Sequence, residues 1–176
     1  MEKTAADIII IKGAPASGKS HTAKSLSKHF PKGARIEVDN LRNMVISVDW
    51  KNQTEHINIL NLSANLVNEY LQLGFKPVIV VDTFSGDKII KYLADLKALN
   101  EDISIKIFGL YTTNEELKKR IELRGPDEFR DLNICIRLNT DVLKYKQADE
   151  ILIDTTGLLP DQTAKIISDH ISQETL

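Results

Sequence analysis

Residues 8–20 read Ile-Ile-Ile-Ile-Lys-Gly-Ala-Pro-Ala-Ser-Gly-Lys-Ser. A β-branched apolar run stops at a glycine and enters the pattern G-x-x-x-x-G-K-[ST]. The run predicts a strand over 7–12, ended by Gly13. The residues that follow predict a helix over 18–30, stopped by Pro31 and Gly33. Strand, glycine-rich loop and helix in that order form a phosphate-binding loop. Gly13 and Gly18 are expected to let the backbone curl, so that successive N–H groups point inward as an anion nest. The helix beginning near Gly18 adds the positive end of its dipole. Lys19 can reach the β- and γ-phosphates of a nucleoside triphosphate, and Ser20 can ligate Mg²⁺ beside them. The candidate nucleotide-binding stretch is Gly13, Ala14, Pro15, Ala16, Ser17, Gly18, Lys19, Ser20 and His21.

Outward from this loop, strand-like and helix-like segments alternate. Strands are expected at 34–38, 78–82, 103–111 and 150–154. Helices are expected near 40–47 and at 53–73, 86–99, 113–123 and 132–147, with a last helix opened by Pro160 at its favoured first position. Thr113 and Glu116 form a capping box, and Gly74 stands at a C-cap position. Strands such as Val78-Ile79-Val80-Val81-Asp82, apolar on both faces, belong in a parallel sheet covered by helices on both sides. The expectation is one domain over residues 1–176, a three-layer α/β P-loop fold with five parallel strands. Ligands of such sheets lie beyond the carboxyl ends of the strands.

Composition narrows the function classes. The chain has 176 residues, 23 basic and 25 acidic, for a net charge of −2. That balance weighs against a long nucleic-acid ligand or a membrane surface as partner. The single Cys135 fits a reducing compartment and reads as a small buried hydrophobe between Ile134 and Ile136. The longest apolar run near the N-terminus, Ile8 to Ile11, is too short for a signal segment or membrane span, so a cytoplasmic location is expected. The four histidines are scattered without zinc-ligand spacing.

Three further patterns bear on chemistry. Ile-Glu-Val-Asp-Asn-Leu-Arg puts Asp39 at the end of the strand expected over 34–38, three residues before Arg42. A carboxylate there can take the proton of an attacking hydroxyl, and Arg42 can hold a substrate anion or the transferring phosphoryl group. Asp82 closes four apolar residues in the Walker B manner and would meet the Mg²⁺ shell. Only six of the basic residues are Arg, and four of them, Arg120, Arg124, Arg130 and Arg137, fall within 120–137. Arg120 and Arg124 share a helix face, where like charges repel unless an anion lies between them. The following loop, 124–131, reads as part of a lid over about 120–137, with acids that can hold the arginines when ATP is absent.

The loop GAPASGKS and the stretch VDNLR resemble a family of small AAA-type P-loop kinases. It groups the kinase domain of phage-type polynucleotide kinase with zeta toxins and chloramphenicol phosphotransferase. The resemblance implies that Asp39 is a general base and Arg42 a substrate-phosphate ligand. It implies that Arg120 stacks on adenine, that Arg124 contacts the ATP phosphates, and that the turn Asp154-Thr155-Thr156-Gly157 packs the adenine, with Thr156 in the nucleotide site. Where the related kinases carry Asp-x-Thr-Asn, this chain has Asp82-Thr83-Phe84-Ser85.

The helix over 53–73 gathers Asn58, Asn61, Asn65, Asn68 and Gln72 into a stripe about 80° wide. Such a face can meet a hydroxyl-rich substrate, another protein or water. Trp50 and Lys51, just before it, can line the acceptor pocket. The leading expectation is an ATP- and Mg²⁺-dependent kinase acting on a small hydroxyl-bearing acceptor or a nucleotide. The alternatives are a 5′-hydroxyl polynucleotide kinase and a nucleotide-dependent switch. Oligomeric state is left open.

Overall fold

A computed structural model describes residues 6–173. The strands are β1 (Ile8–Gly13), β2 (Ala34–Glu37), β3 (Val78–Asp82), β4 (Ile105–Tyr111) and β5 (Glu150–Asp154). The helices are α1 (Lys19–Ser27), α2 (Val38–Asn43), α3 (Gln53–Gln72), α4 (Lys88–Leu99), α5 (Asn114–Glu122), α6 (Leu132–Lys144) and α7 (Pro160–Gln173). The strands form one sheet in the order β2-β3-β1-β4-β5, and every pairing is parallel.

Alternation along each strand divides the core into two layers. Ile8, Ile10, Val78, Val80 and Ile107 meet Ile59, Leu60 and Val67 of α3 and Ile89, Tyr92 and Leu96 of α4. Ile9, Ile11, Ile79, Val81, Phe108 and Leu110 meet Ala23 and Leu26 of α1 and Ala164, Ile167 and Ile171 of α7. All six residues of β1 and all five of β3 are buried. This is why their sequences run apolar without alternation. Cys135 packs with Leu117 and Ile121 between α5 and α6. Burial pushes its thiol above the ordinary value against the pull of Arg124, so it behaves as core.

The order of the strands locates the site. From β1 the chain moves out to β2, returns to β3 beside β1, and then crosses β1 to reach β4. The carboxyl end of β1 is therefore the point where the winding reverses, and a crevice opens there.

Of the boundaries that differ from the sequence expectation, two bear on the site and the core. The second strand stops at Glu37, and α2 begins at Val38. Asp39 thus stands in the first turn of a helix, one turn before Arg42, which brings both to one helix face. The sixth helix ends at Lys144 rather than 147, and the Tyr145 carbonyl beyond it accepts a hydrogen bond from the Lys12 ammonium at 3.1 Å.

Candidate active site

The phosphate loop joins β1 to α1. Its left-handed residues are Ala16, at φ 66°, and Gly18, at φ 94°. The expected curl thus falls on Ala16 and Gly18 rather than on Gly13. Gly13 is needed for space: a Cβ there would strike the Ser17 side chain and come within 2.9 Å of the Leu110 carbonyl oxygen. Helix α1 opens with neither a side-chain cap nor an acid in its first turn, so its leading amides are left for an anion. The Ser17 hydroxyl is buried without a partner among the described residues. Lys19 is 9% exposed, and its Nζ lies 3.4 Å from the Ala14 carbonyl oxygen. Burial pushes its ammonium below the ordinary value, Asp39 and Asp82 pull it back, and Arg124 adds to the depression. Ser20 is half-buried beside it, and His21 is exposed.

Asp39, Arg42, Asp82 and His56 form one network at the β3 edge. The Arg42 guanidinium is buried. Nη1 donates to Asp39, while Nη2 lies 2.7 Å from His56 Nε2 and 3.2 Å from Asp82 Oδ1. Asp82 Oδ2 accepts from the Phe84 amide at 3.0 Å and lies 3.8 Å from His56 Nε2. Burial alone would raise the Asp82 pKa. The His56 ring, the Arg42 charge and the Phe84 amide outweigh it and hold the carboxyl at about 2. Phe84 is buried at φ 48°, a strained conformation for a bulky residue. It is held there by the Asp82 side chain on one side and by a ring contact with Tyr92, 5.0 Å between centroids, on the other. The Arg42 guanidinium lies 5.8 Å from the Trp50 ring, and Trp50 is 52% exposed. Sequence reasoning missed His56. Its one signal was position, a histidine on the turn of α3 nearest the loop that carries Trp50.

A cleft of about 490 Å³ runs along the loop, lined among others by Lys19, Ser20, Arg120, Arg124, Thr155 and Pro160. Arg120 is fastened by its edge. It donates to the Ser17 carbonyl at 3.2 Å, to Thr155 Oγ1 at 3.1 Å, to the Thr155 carbonyl at 2.6 Å and to Glu116 at 2.9 Å. Thr155, buried, occupies the place that sequence reasoning gave to Thr156. The Thr156 hydroxyl is turned to Thr112, the Thr113 amide and Asp154, and Thr156 does not line the cleft. Arg124 donates to the Phe129 carbonyl at 2.6 Å and pairs with Glu128 at 3.5 Å. An acid of the loop 124–131 thus pairs with an arginine. Asp131 instead caps α6 by accepting from the Ile134 amide. Arg130 and Arg137 are exposed. Of the Asn stripe, Asn58 and Asn65 are exposed and Asn61 and Asn68 partly so.

Comparisons with known proteins agree with the fold. The chain is similar in structure to the tunicamycin resistance protein of Deinococcus radiodurans, at 22% identity over 94% of this chain and 95% of that one, with a TM-score of 0.71. A gluconokinase from Sinorhizobium meliloti aligns at 14% identity over 98% and 95%, with a TM-score of 0.67. Shikimate kinase from Acinetobacter baumannii, solved in complex with shikimate, aligns at 16% identity over 98% and 97%, with a TM-score of 0.62. No curated protein sequence matches significantly. No helix among the described residues is long and apolar enough to cross a membrane. The family model described as an AAA domain matches residues 9–144, and the chain, with the five-stranded fold of the small P-loop kinases, belongs to that AAA domain family.

Proposed function

We propose that this protein is an ATP- and Mg²⁺-dependent phosphotransferase that moves the γ-phosphoryl group of ATP to a hydroxyl of a small molecule or nucleotide. One observation carries the reading. The phosphate loop brings the buried Lys19, Ser20 and the uncapped N-terminus of α1 into one cleft with Arg120 and Arg124, the groups that binding and transfer of a phosphoryl group call for. The kinases among the structural neighbours support the same class of reaction.

The loop amides and the α1 N-terminus bind the phosphates. Arg120 is held by its edge, which leaves the guanidinium faces available to stack on a base. Asp39 accepts the proton of the acceptor hydroxyl as its oxygen bonds to the γ-phosphorus and the bridge to the β-phosphate breaks. Lys19 and Arg124 stabilise the charge on the transferring group. For that, Arg124 leaves Glu128 and the Phe129 carbonyl, which closes the lid and excludes water. The Ser20 hydroxyl and the Asp82 carboxylate, kept ionised at about 2, are hard oxygen donors that fit Mg²⁺, which keeps several waters and takes few protein ligands. Mg²⁺ held there would supply positive charge to offset that of the phosphates. A single domain and a cytoplasmic, reducing setting belong to this reading.

A 5′-hydroxyl polynucleotide kinase is the second reading, favoured by the Asp39–Arg42 pair and by a half-exposed Trp50 on which a base can stack. A transfer screen with γ-labelled ATP over nucleosides, nucleotides, sugars, sugar acids and short 5′-hydroxyl oligonucleotides separates the two. Label appearing on a small acceptor supports the first reading, and label on the oligonucleotide alone supports the second. Release of inorganic phosphate with no acceptor dependence would overturn both.

A further inference from the structure

The phosphate loop stands in a conformation that its own hydrogen bonds hold only in part. Ala16 is left-handed at φ 66°, and Gly18 at φ 94°. A left-handed alanine persists only where its surroundings fix it. Within the loop, the Ser17 amide donates to the Ala14 carbonyl at 3.1 Å, and Lys19 Nζ reaches the same carbonyl at 3.4 Å. The Ser17 hydroxyl is buried without a partner among the described residues. The Ser17 carbonyl, by contrast, is gripped from outside the loop. It accepts from Arg120 Nη1 and from Thr155 Oγ1, each at 3.2 Å, and these residues lie 103 and 138 positions along the chain.

Thr155 is well placed for this grip. It is 2% exposed, and its hydroxyl accepts from Arg120 Nη1 at 3.1 Å. Its single proton has two carbonyls in reach, Ser17 at 3.2 Å and Tyr111 at 3.1 Å, and the Tyr111 carbonyl is already served by the Thr155 amide at 2.8 Å. The Thr155 carbonyl in turn takes Arg120 Nη2 at 2.6 Å. Peptide geometry carries the effect into the loop. The Ser17–Gly18 bond is trans, so its C=O and N–H point in opposite directions. A carbonyl held toward Thr155 and Arg120 aims the Gly18 amide the other way, as an anion nest requires. Glycine tolerates both hands of backbone, so without the grip this peptide can turn over and present its carbonyl oxygen to the phosphates.

We propose that Thr155, acting with Arg120, is a positioning residue of the phosphate loop: it pins the Ser17 carbonyl so that the Gly18 amide faces the phosphate chain. This role rests on the phosphotransferase reading for its ligand, and it gives Arg120 a part beyond stacking on a base. The two parts are separable. Loss of a group that serves the base weakens ATP and spares a polyphosphate that has no base. Loss of the pin weakens both.

Calorimetric titration of the full chain with tripolyphosphate and with ATP, each in the presence of Mg²⁺, tests this. Both ligands are expected to bind the wild type. In Thr155→Val, which changes no charge, the dissociation constant for tripolyphosphate rises at least about five-fold, and that for ATP by at least as much. Thr155→Ser, which keeps the hydroxyl, restores most of both. Arg120→Lys, which keeps the charge but loses the fork, also weakens tripolyphosphate, and it carries the test if the valine variant folds poorly. Near-ultraviolet circular dichroism checks that each variant keeps the native fold. A loss confined to ATP, no loss for either ligand, or no rescue by serine overturns the role. The expected loss of tripolyphosphate without phosphoryl transfer to any acceptor leaves the role standing and counts against the phosphotransferase reading alone. A wild type that binds neither ligand overturns both.

Discussion

Two buried ion pairs are anchored on this sheet, and they end differently. Lys12 on β1 reaches over β4 to Glu150 on β5 at 2.9 Å, with both side chains at most 2% exposed. Arg42 reaches Asp82 at 3.2 Å, with side chains 6% and 1% exposed. The first pair is sealed from solvent, with Glu150 Oε1 left without a hydrogen-bond partner among the described residues. Lys12 also donates to the Tyr145 carbonyl, and Glu150 also accepts from the Gln147 amide. The pair crosses at Gly109, which lies opposite Lys12 in the register, and a Cβ there would strike Glu150 and come within 2.8 Å of Leu152. The second pair continues outward through Asp39, whose side chain is 52% exposed, and through His56 and Trp50 toward solvent. A charge pair sealed inside the sheet fixes architecture. One that runs from the core to solvent leaves part of its charge accessible.

The comparison can be broken by removing one partner from each pair. Lys12→Met leaves Glu150 buried and uncompensated and is expected to lower unfolding free energy by about 3–5 kcal/mol. Urea denaturation measures it, and the double variant Lys12→Met/Glu150→Leu should recover most of the loss, because an apolar pair removes the stranded charge. Arg42→Met is expected to cost less, about 1–3 kcal/mol, since Asp82 keeps the Phe84 amide and His56.

Acid sharpens the same contrast. The folded Asp82 carboxyl titrates at about 2, below its ordinary 3.8. A depressed carboxyl contributes stability that is complete above pH 4 and is lost as pH falls through 2. The loss amounts to roughly 2 kcal/mol in metal-free buffer, and a urea midpoint measured against pH in Asp82→Asn should lack that limb. The smallest effect belongs to the phosphate loop. Ala16→Gly removes the penalty of a left-handed alanine and should raise stability by about 0.5–1 kcal/mol, read as a higher Tm.

The half of the site built from local sequence was legible in the chain. The loop, the five strands, the Thr113 cap, whose hydroxyl accepts from the Glu116 amide, and Pro160 at the start of α7 all follow from spacing over a few residues. What could not be read depends on register and separation. Arg42 and Asp82 are 40 residues apart, and Lys12 and Glu150 meet only because β1 and β5 flank β4. A lysine inside an otherwise apolar strand and a glycine inside β4 were the visible traces of that pair. His56 carries no motif of its own. It joins the site because α3 starts within reach of the carboxyl end of β3. Asp39 was placed at a strand end, yet helix α2 begins one residue before it, and the helical turn is what lets Arg42 bind it.

The central claim is that the open network performs transfer while the closed pair only holds the fold. Single-turnover transfer of the γ-label from ATP, measured in Asp39→Asn at saturating ATP, tests it most directly. The account predicts unchanged ATP binding and an unchanged urea midpoint, with transfer slowed by about 10²–10⁴-fold. Wild-type transfer in Asp39→Asn would contradict it.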